Sequence, residues 1–140
     1  MKMLFCSLLL LLTFGYKAVA QDSAKTSLAK VYLLRSTGVI GKISAFNIFM
    51  DDELICKINN NKYSVHSVAS GVHRFQIRFD GHSTRKKIKL LELNIESGES
   101  YYINVEALER GFVNSLDLIE VTENTFKKMS PGLTEDSNCK

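Results

Sequence analysis

The sequence predicts a single all-β domain of about eight short antiparallel strands, arranged as a sandwich or barrel. Three observations carry this. Apolar and polar residues alternate at period two along almost the whole chain beyond residue 29. Gly, Asn and Asp turn signals interrupt the alternation every ten or so residues. No stretch shows a convincing amphipathic helix; only "ENTFKKM" (Glu123 to Met129), just before Pro131, predicts one short helical turn.

The strands follow in order. "KVYLLR" (Lys30 to Arg35) is the first, reached through the leader "DSAKTSLA". "AFNIFM" (Ala45 to Met50) places Phe46, Ile48 and Met50 on one face. Asp51-Asp52 turns the chain into "ELICKI" (Glu53 to Ile58), and Asn59-Asn60-Asn61 turns it again, since Asn tolerates left-handed backbone. "KYSVHSV" (Lys62 to Val68) leads through Ser70-Gly71 into "VHRFQIRF", which ends at the hairpin signal Asp80-Gly81. "KIKLLELNIE" (Lys87 to Glu96), "YYINVEAL" (Tyr101 to Leu108) and "SLDLIEV" (Ser115 to Val121) complete the set. One strand has a phase fault. Ile88 and Leu90 lie on one face but Leu91, Leu93 and Ile95 on the other, so a bulge near Leu90-Leu91, or a strand covered on both sides, is expected. The polar end, "TEDSNCK", reads as disordered.

The first twenty residues read as a secretory signal peptide. Lys2 precedes an apolar run from Leu4 to Phe14, and Ala18-Val19-Ala20 supplies the small residues for cleavage between Ala20 and Gln21. The run is shorter than the roughly 20 residues of a spanning helix, which argues against an uncleaved anchor. Cys6 lies at the start of that run rather than after it, the wrong place for a lipid anchor. Cleavage leaves 120 residues, one ordinary domain with a real core, and lowers the net charge from +3 to +1. Near-neutrality gives no global case for nucleic acid or an anionic membrane. The expected map is a signal at 1–20, a leader at 21–28, the sandwich at 29–122 and a tail, short helix or disordered, at 123–140.

Two cysteines remain, too few for a disulfide framework or a zinc motif. Export permits a Cys56–Cys139 bridge. The polarity pattern points instead to a buried free thiol at Cys56 and an exposed one at Cys139, the latter able to pair between chains.

Catalytic, cofactor-binding and metal-binding motifs are absent. His66, His73 and His82 never fall two apart on one strand face, so a metal site would need them to converge from different hairpins. There is no Gly-x-Ser-x-Gly elbow, phosphate-cradling glycine loop or calcium loop. Asp51-Asp52-Glu53 reads as a solvated hairpin tip. In "SVASGVHRFQIRF", His73 shares its phase with Phe75, Ile77 and Phe79 and so faces the core at the mouth of its strand. There the imidazole can satisfy a carbonyl freed by the turn at Ser70-Gly71, which makes Gly71 and His73 a structural turn rather than a catalytic pair. The opposite face carries Arg74, Gln76 and Arg78. With Arg85, Lys87 and Lys89 of the "RKKIK" run these form a candidate interaction surface. Like charges opposite one another destabilise a sheet, so a staggered register, nearby acids or an anionic partner must relieve them; a solvated edge that resists aggregation is the simpler reading.

The run "IFMDDELICKINNNKYSVHSVASGVHRFQI", together with "KVYLLR" and "SGESYYINV", resembles exported bacterial proteins of the domain of unknown function 2846 family. Ser70 and Asp52 stand where that family usually has Pro and Gly. The resemblance covers roughly residues 29 to 122 and implies an Ig-like or PEGA-like sandwich of the cell envelope, with no catalytic residue to carry over. The expectation is an exported, periplasmic or secreted, non-enzymatic binding or structural module. It needs no cofactor, and its partner is an envelope protein, a glycan, or a second copy at a sheet edge. The alternatives are a ligand carrier with a cavity between its sheets or a histidine-dependent hydrolase or metal enzyme.

Overall fold

The computed structural model describes residues 27–39, 44–79, 89–110, 113–136 and 139; for 108–110, 113 and 114 it gives the backbone course alone. The signal segment with its Ala20-Gln21 cleavage point, the Asp80-Gly81 turn, His82, Arg85 and Lys87 lie outside the described residues.

Nine described strands and one helix follow one another: β1 (Ala29–Arg35), β2 (Phe46–Met50), β3 (Glu53–Ile58), β4 (Lys62–Val68), β5 (Gly71–Phe79), β6 (Leu91–Ile95), β7 (Ser100–Arg110), β8 (Val113–Val121), α1 (Glu123–Met129) and β9 (Thr134–Glu135). They build two sheets, β8-β7-β1-β4-β9 and β3-β2-β5-β6. The all-β expectation holds, and the sheets pack face to face as a sandwich. The pairing is not wholly antiparallel, because β1 runs parallel to β7 and β9 parallel to β4.

Alternation explains the core. Ala29, Val31, Leu33 and Arg35 take the inward phase of β1, and Phe46 and Ile48 take it on β2; each is fully enclosed. Phe75, Ile95 and Ile103 join them from β5, β6 and β7. Each such aliphatic or aromatic side chain contributes roughly 1.5–3 kcal/mol by leaving water.

The turns behave as their residues dictate. Asp51 (φ 50°) and Asp52 (φ 68°) both adopt the left-handed backbone that a two-residue hairpin requires. Asn61 does the same (φ 56°) between β3 and β4. Gly71 opens β5 at φ 141°, a conformation a side chain resists. Gly98 (φ 80°) is needed twice over, since a Cβ there would lie 3.0 Å from Ser27 Oγ.

Three expectations are corrected. The bulge is not at Leu90-Leu91. β6 begins at Leu91, Leu93 and Ile95 face the core, and Leu90 lies outside the strand and exposed, so no register repair is needed there. A register shift instead lies in the β2–β3 hairpin, where Ile48 pairs with Cys56 but Phe49 with Leu54, leaving Ile55 extra.

Second, the tail is a strap. β9 pairs with Lys62 and Tyr63 of β4, and the buried Asp136 carboxylate accepts from the backbone N–H (2.8 Å) and side-chain amide (3.0 Å) of Asn59. The Asp136 carboxylate is thus matched to a turn of the same chain rather than to water. Third, the cysteines are not free. The strap carries Cys139 to Cys56, and the two form a disulfide against the core.

Candidate functional site

The stretch from Ser67 to Phe79 assembles a compact polar cluster at one end of the second sheet. His73 Nδ1 lies 2.6 Å from Asp51 Oδ2, and Nε2 lies 3.0 Å from the Ala69 carbonyl oxygen. The carbonyl contact is the turn-satisfying role read from the strand phase. The carboxylate was not foreseen, because Asp51 was read as a solvated tip. Asp51 also accepts from the Arg74 backbone N–H at 2.9 Å, while its own N–H donates to the Arg74 carbonyl at 2.9 Å. The Arg74 N–H bond first, and the His73 side chain second, hold the Asp51 carboxyl below its ordinary 3.8. Both ring nitrogens of His73 are thus engaged by groups of its own chain.

The neighbouring strand face forms a ladder. Gln76 Nε2 donates to Asp52 Oδ1 at 2.7 Å, Arg78 donates to Gln76 Oε1 at 2.7 Å, and the Arg78 guanidinium sits 4.7 Å from the Phe49 ring centre. Gln76 is buried, so of the residues read as an interaction surface it is packing rather than display. Arg74 is exposed and opposes Glu92 in register, and Lys89 pairs with Asp117 of β8. An acid thus stands opposite Arg74 in register and another, from the other sheet, pairs with Lys89, as one of the alternatives required, while Arg78 is held by Gln76.

A third arrangement had no counterpart in the sequence reading. Arg35, at the end of β1, is fully buried. It donates to the carbonyls of Ser44 and Ile58 (both 2.8 Å) and to Thr37 Oγ1 (3.3 Å), and its guanidinium carbon lies 3.4 Å from the Phe46 ring centre. Burial pushes its pKa down to about 10, which leaves it charged at neutral pH. A cation–π contact and paired carbonyls are what a buried guanidinium needs.

His66 stands apart from His73. It faces inward from β4, 8 % exposed, with Ser64 Oγ 3.0 Å from its Nε2 and Ser64 Oγ in turn 3.6 Å from Cys56 Sγ. The ligand atoms of Cys56, His66 and Cys139 all lie within 4.8 Å of one another. The sequence pattern put Tyr63 and Val65 in phase on this strand, but the residues that face inward are Ser64, His66 and Val68, with Val65 exposed; neither that phase nor the placement of Cys139 was legible.

A concavity lies where β7 and β8 run side by side in the first sheet. It is an open groove of about 650 Å³ lined by Glu99, Ser100, Tyr102, Glu120, Thr122 and Glu123, among others. Consecutive tyrosines of "ESYYINV" divide the work because they point to opposite faces. Tyr101 points inward, where its hydroxyl accepts from the Glu96 N–H (2.8 Å) and donates to the Asn94 carbonyl (3.2 Å), locking the turn before β7. Tyr102 points outward and stacks on Tyr32 at 4.9 Å, with Phe126 of α1 tilted over both. Helix α1 is held there by its Thr122 cap and by the Glu123–Lys127 pair at 2.7 Å. Burial, and then the Glu123 charge, raise the Tyr102 pKa above its ordinary value.

These features define a two-sheet β-sandwich in which, among the described residues, His66, His73, Arg35 and Arg78 are engaged by its own turns and core. Residues 25–116 match the family described as "Protein of unknown function (DUF2846)", and the chain belongs to that family. No curated protein matches the chain. Among the described residues no helix is long and apolar enough to cross a membrane.

Proposed function

We propose that the chain is an exported, non-enzymatic binding module of the bacterial cell envelope, and that it engages a protein segment carrying lysine or arginine. The observation that carries this is the groove in which Glu99, Glu120 and Glu123 stand around the half-buried Tyr102, whose ring is stacked on Tyr32. A cation on an apolar stem meets both needs there, carboxylate at its head and aromatic surface along its stem. The "KMLFCSLLLLLTFGYKAVA" segment supports export. Against a carrier, the interior between the sheets is taken up by Leu33, Phe46, Ile48, Phe75 and Ile103. Against a hydrolase, His73 has both nitrogens engaged and His66 is buried.

Two measurements test this. Mass spectrometry of the envelope fraction should find a chain beginning at Gln21. A photo-crosslinking residue at Glu120 should capture a partner that the same residue at Val72, exposed on the other sheet, does not. Glu99→Lys should abolish the capture without altering the unfolding curve. Capture from both positions alike, or a full-length chain retained in the cytoplasm, refutes the reading.

A further inference from the structure

The strap brings two sulfurs and an imidazole together, and the surroundings are more polar than a disulfide requires. A bridge in a core is satisfied by apolar neighbours. Here Ser64 and His66, both buried and both on the inward phase of β4, crowd the sulfurs. Ser64 Oγ and His66 Nε2 lie 3.0 Å apart beside the sulfurs, which keeps an imidazole and a hydroxyl at the bridge. Thiolate, thiolate and imidazole contributed by three separate segments are what a borderline-soft ion selects.

We propose that Cys56, Cys139 and His66 form a binding site for one Zn²⁺ ion, closed while the disulfide is intact and opened by its two-electron reduction. The ligand atoms already lie within 4.8 Å of one another. Tetrahedral zinc, with bonds of about 2.3 Å to sulfur and about 2.0 Å to nitrogen, needs its two sulfurs about 3.8 Å apart. Bonded sulfurs stand about 2 Å apart, so less than 2 Å of further separation is required. Cys139 can move away with the strap while Cys56 and His66 stay on β3 and β4. The remaining position falls to water or to the Ser64 hydroxyl. The electrons come from a dithiol donor. Its two thiols become a disulfide as the Cys56–Cys139 bond breaks, and their two protons pass to the protein sulfurs. Zn²⁺ then displaces both protons and takes the imidazole lone pair. This site does not depend on the groove or on the reading built on it.

The test uses the protein without its first twenty residues, opened with a trialkylphosphine, which leaves as the phosphine oxide and does not compete for metal. Co²⁺ is the probe. The reduced protein should bind one equivalent, with tetrahedral ligand-field bands and thiolate charge transfer, and Zn²⁺ should displace it. The oxidised protein should show neither signal. Cys139→Ser should lose the charge-transfer intensity of one sulfur, and His66→Ala should weaken binding by at least about tenfold. Circular dichroism of the reduced protein, with and without Zn²⁺, covers the case in which reduction loosens the fold; zinc should then restore it in the wild type but not in His66→Ala. Octahedral Co²⁺, a complex of two chains per ion, or undiminished affinity in His66→Ala overturns the site.

Discussion

Replacing Cys139 with serine removes a crosslink between residues 83 positions apart and leaves Cys56 as a small buried thiol. A crosslink of this span restricts the unfolded chain by about 15 cal/mol/K, or about 4.5 kcal/mol at 25 °C. Domains of this kind have net stabilities of about 5–15 kcal/mol, so the loss takes a large share. Urea unfolding of the oxidised wild type and of Cys139→Ser measures it. With a slope of about 2 kcal/mol/M, the midpoint should fall by about 2 M. The slope itself should rise, because the uncrosslinked unfolded state exposes more surface. A midpoint shift below about 0.5 M with an unchanged slope would refute the reasoning, since the bridge would then not be holding the strap.

The polar cluster and the buried cation make further tests. Asp51 has its folded pKa below the ordinary 3.8, so its contribution is complete above 3.8 and is lost as pH falls through the folded value. Asp51→Asn keeps a residue suited to positive φ and an acceptor for the Arg74 N–H, and its stability should change less with pH below 4 than that of the wild type, as followed by acid titration of the midpoint. His73→Ala leaves the Ala69 carbonyl and the Asp51 carboxylate without the ring and should cost about 1–3 kcal/mol; normal stability would refute the turn role. Arg35→Met relieves the desolvated charge but strips donors from the Ser44 and Ile58 carbonyls, for a net loss of about 2–4 kcal/mol in chemical denaturation.

The strands were legible because period two leaves little freedom. β3 and β4 fall where the alternation and the Asp and Asn turns put them, and the phase of His73 with Phe75 and Ile77 gave its inward direction. What stayed hidden depends on contacts between distant segments. Asp136 looks like any acid of a polar tail until Asn59 is beside it, 77 residues earlier in the chain. Cys139 looked exposed for the same reason. Arg35 ends a strand whose alternation is plain, yet nothing local says that its head meets Phe46 and two carbonyls rather than water. The Leu90-Leu91 fault misled because a phase break was read as an extra residue inside a strand, when it marks the strand's first residue.

The parallel pairing of β1 with β7 bears on how the chain reaches this state. β1 acquires one neighbour from β4, with Arg35 opposite Lys62, but its other edge waits for Lys30 to meet Ser100. Such closure is slow, because the entropy of a long loop is lost before the contacts reward it. A chain made only as far as β6 therefore presents a bare, apolar central strand, a template for pairing with another copy. Synthesis arrested there should yield aggregates, whereas arrest beyond β7 should not.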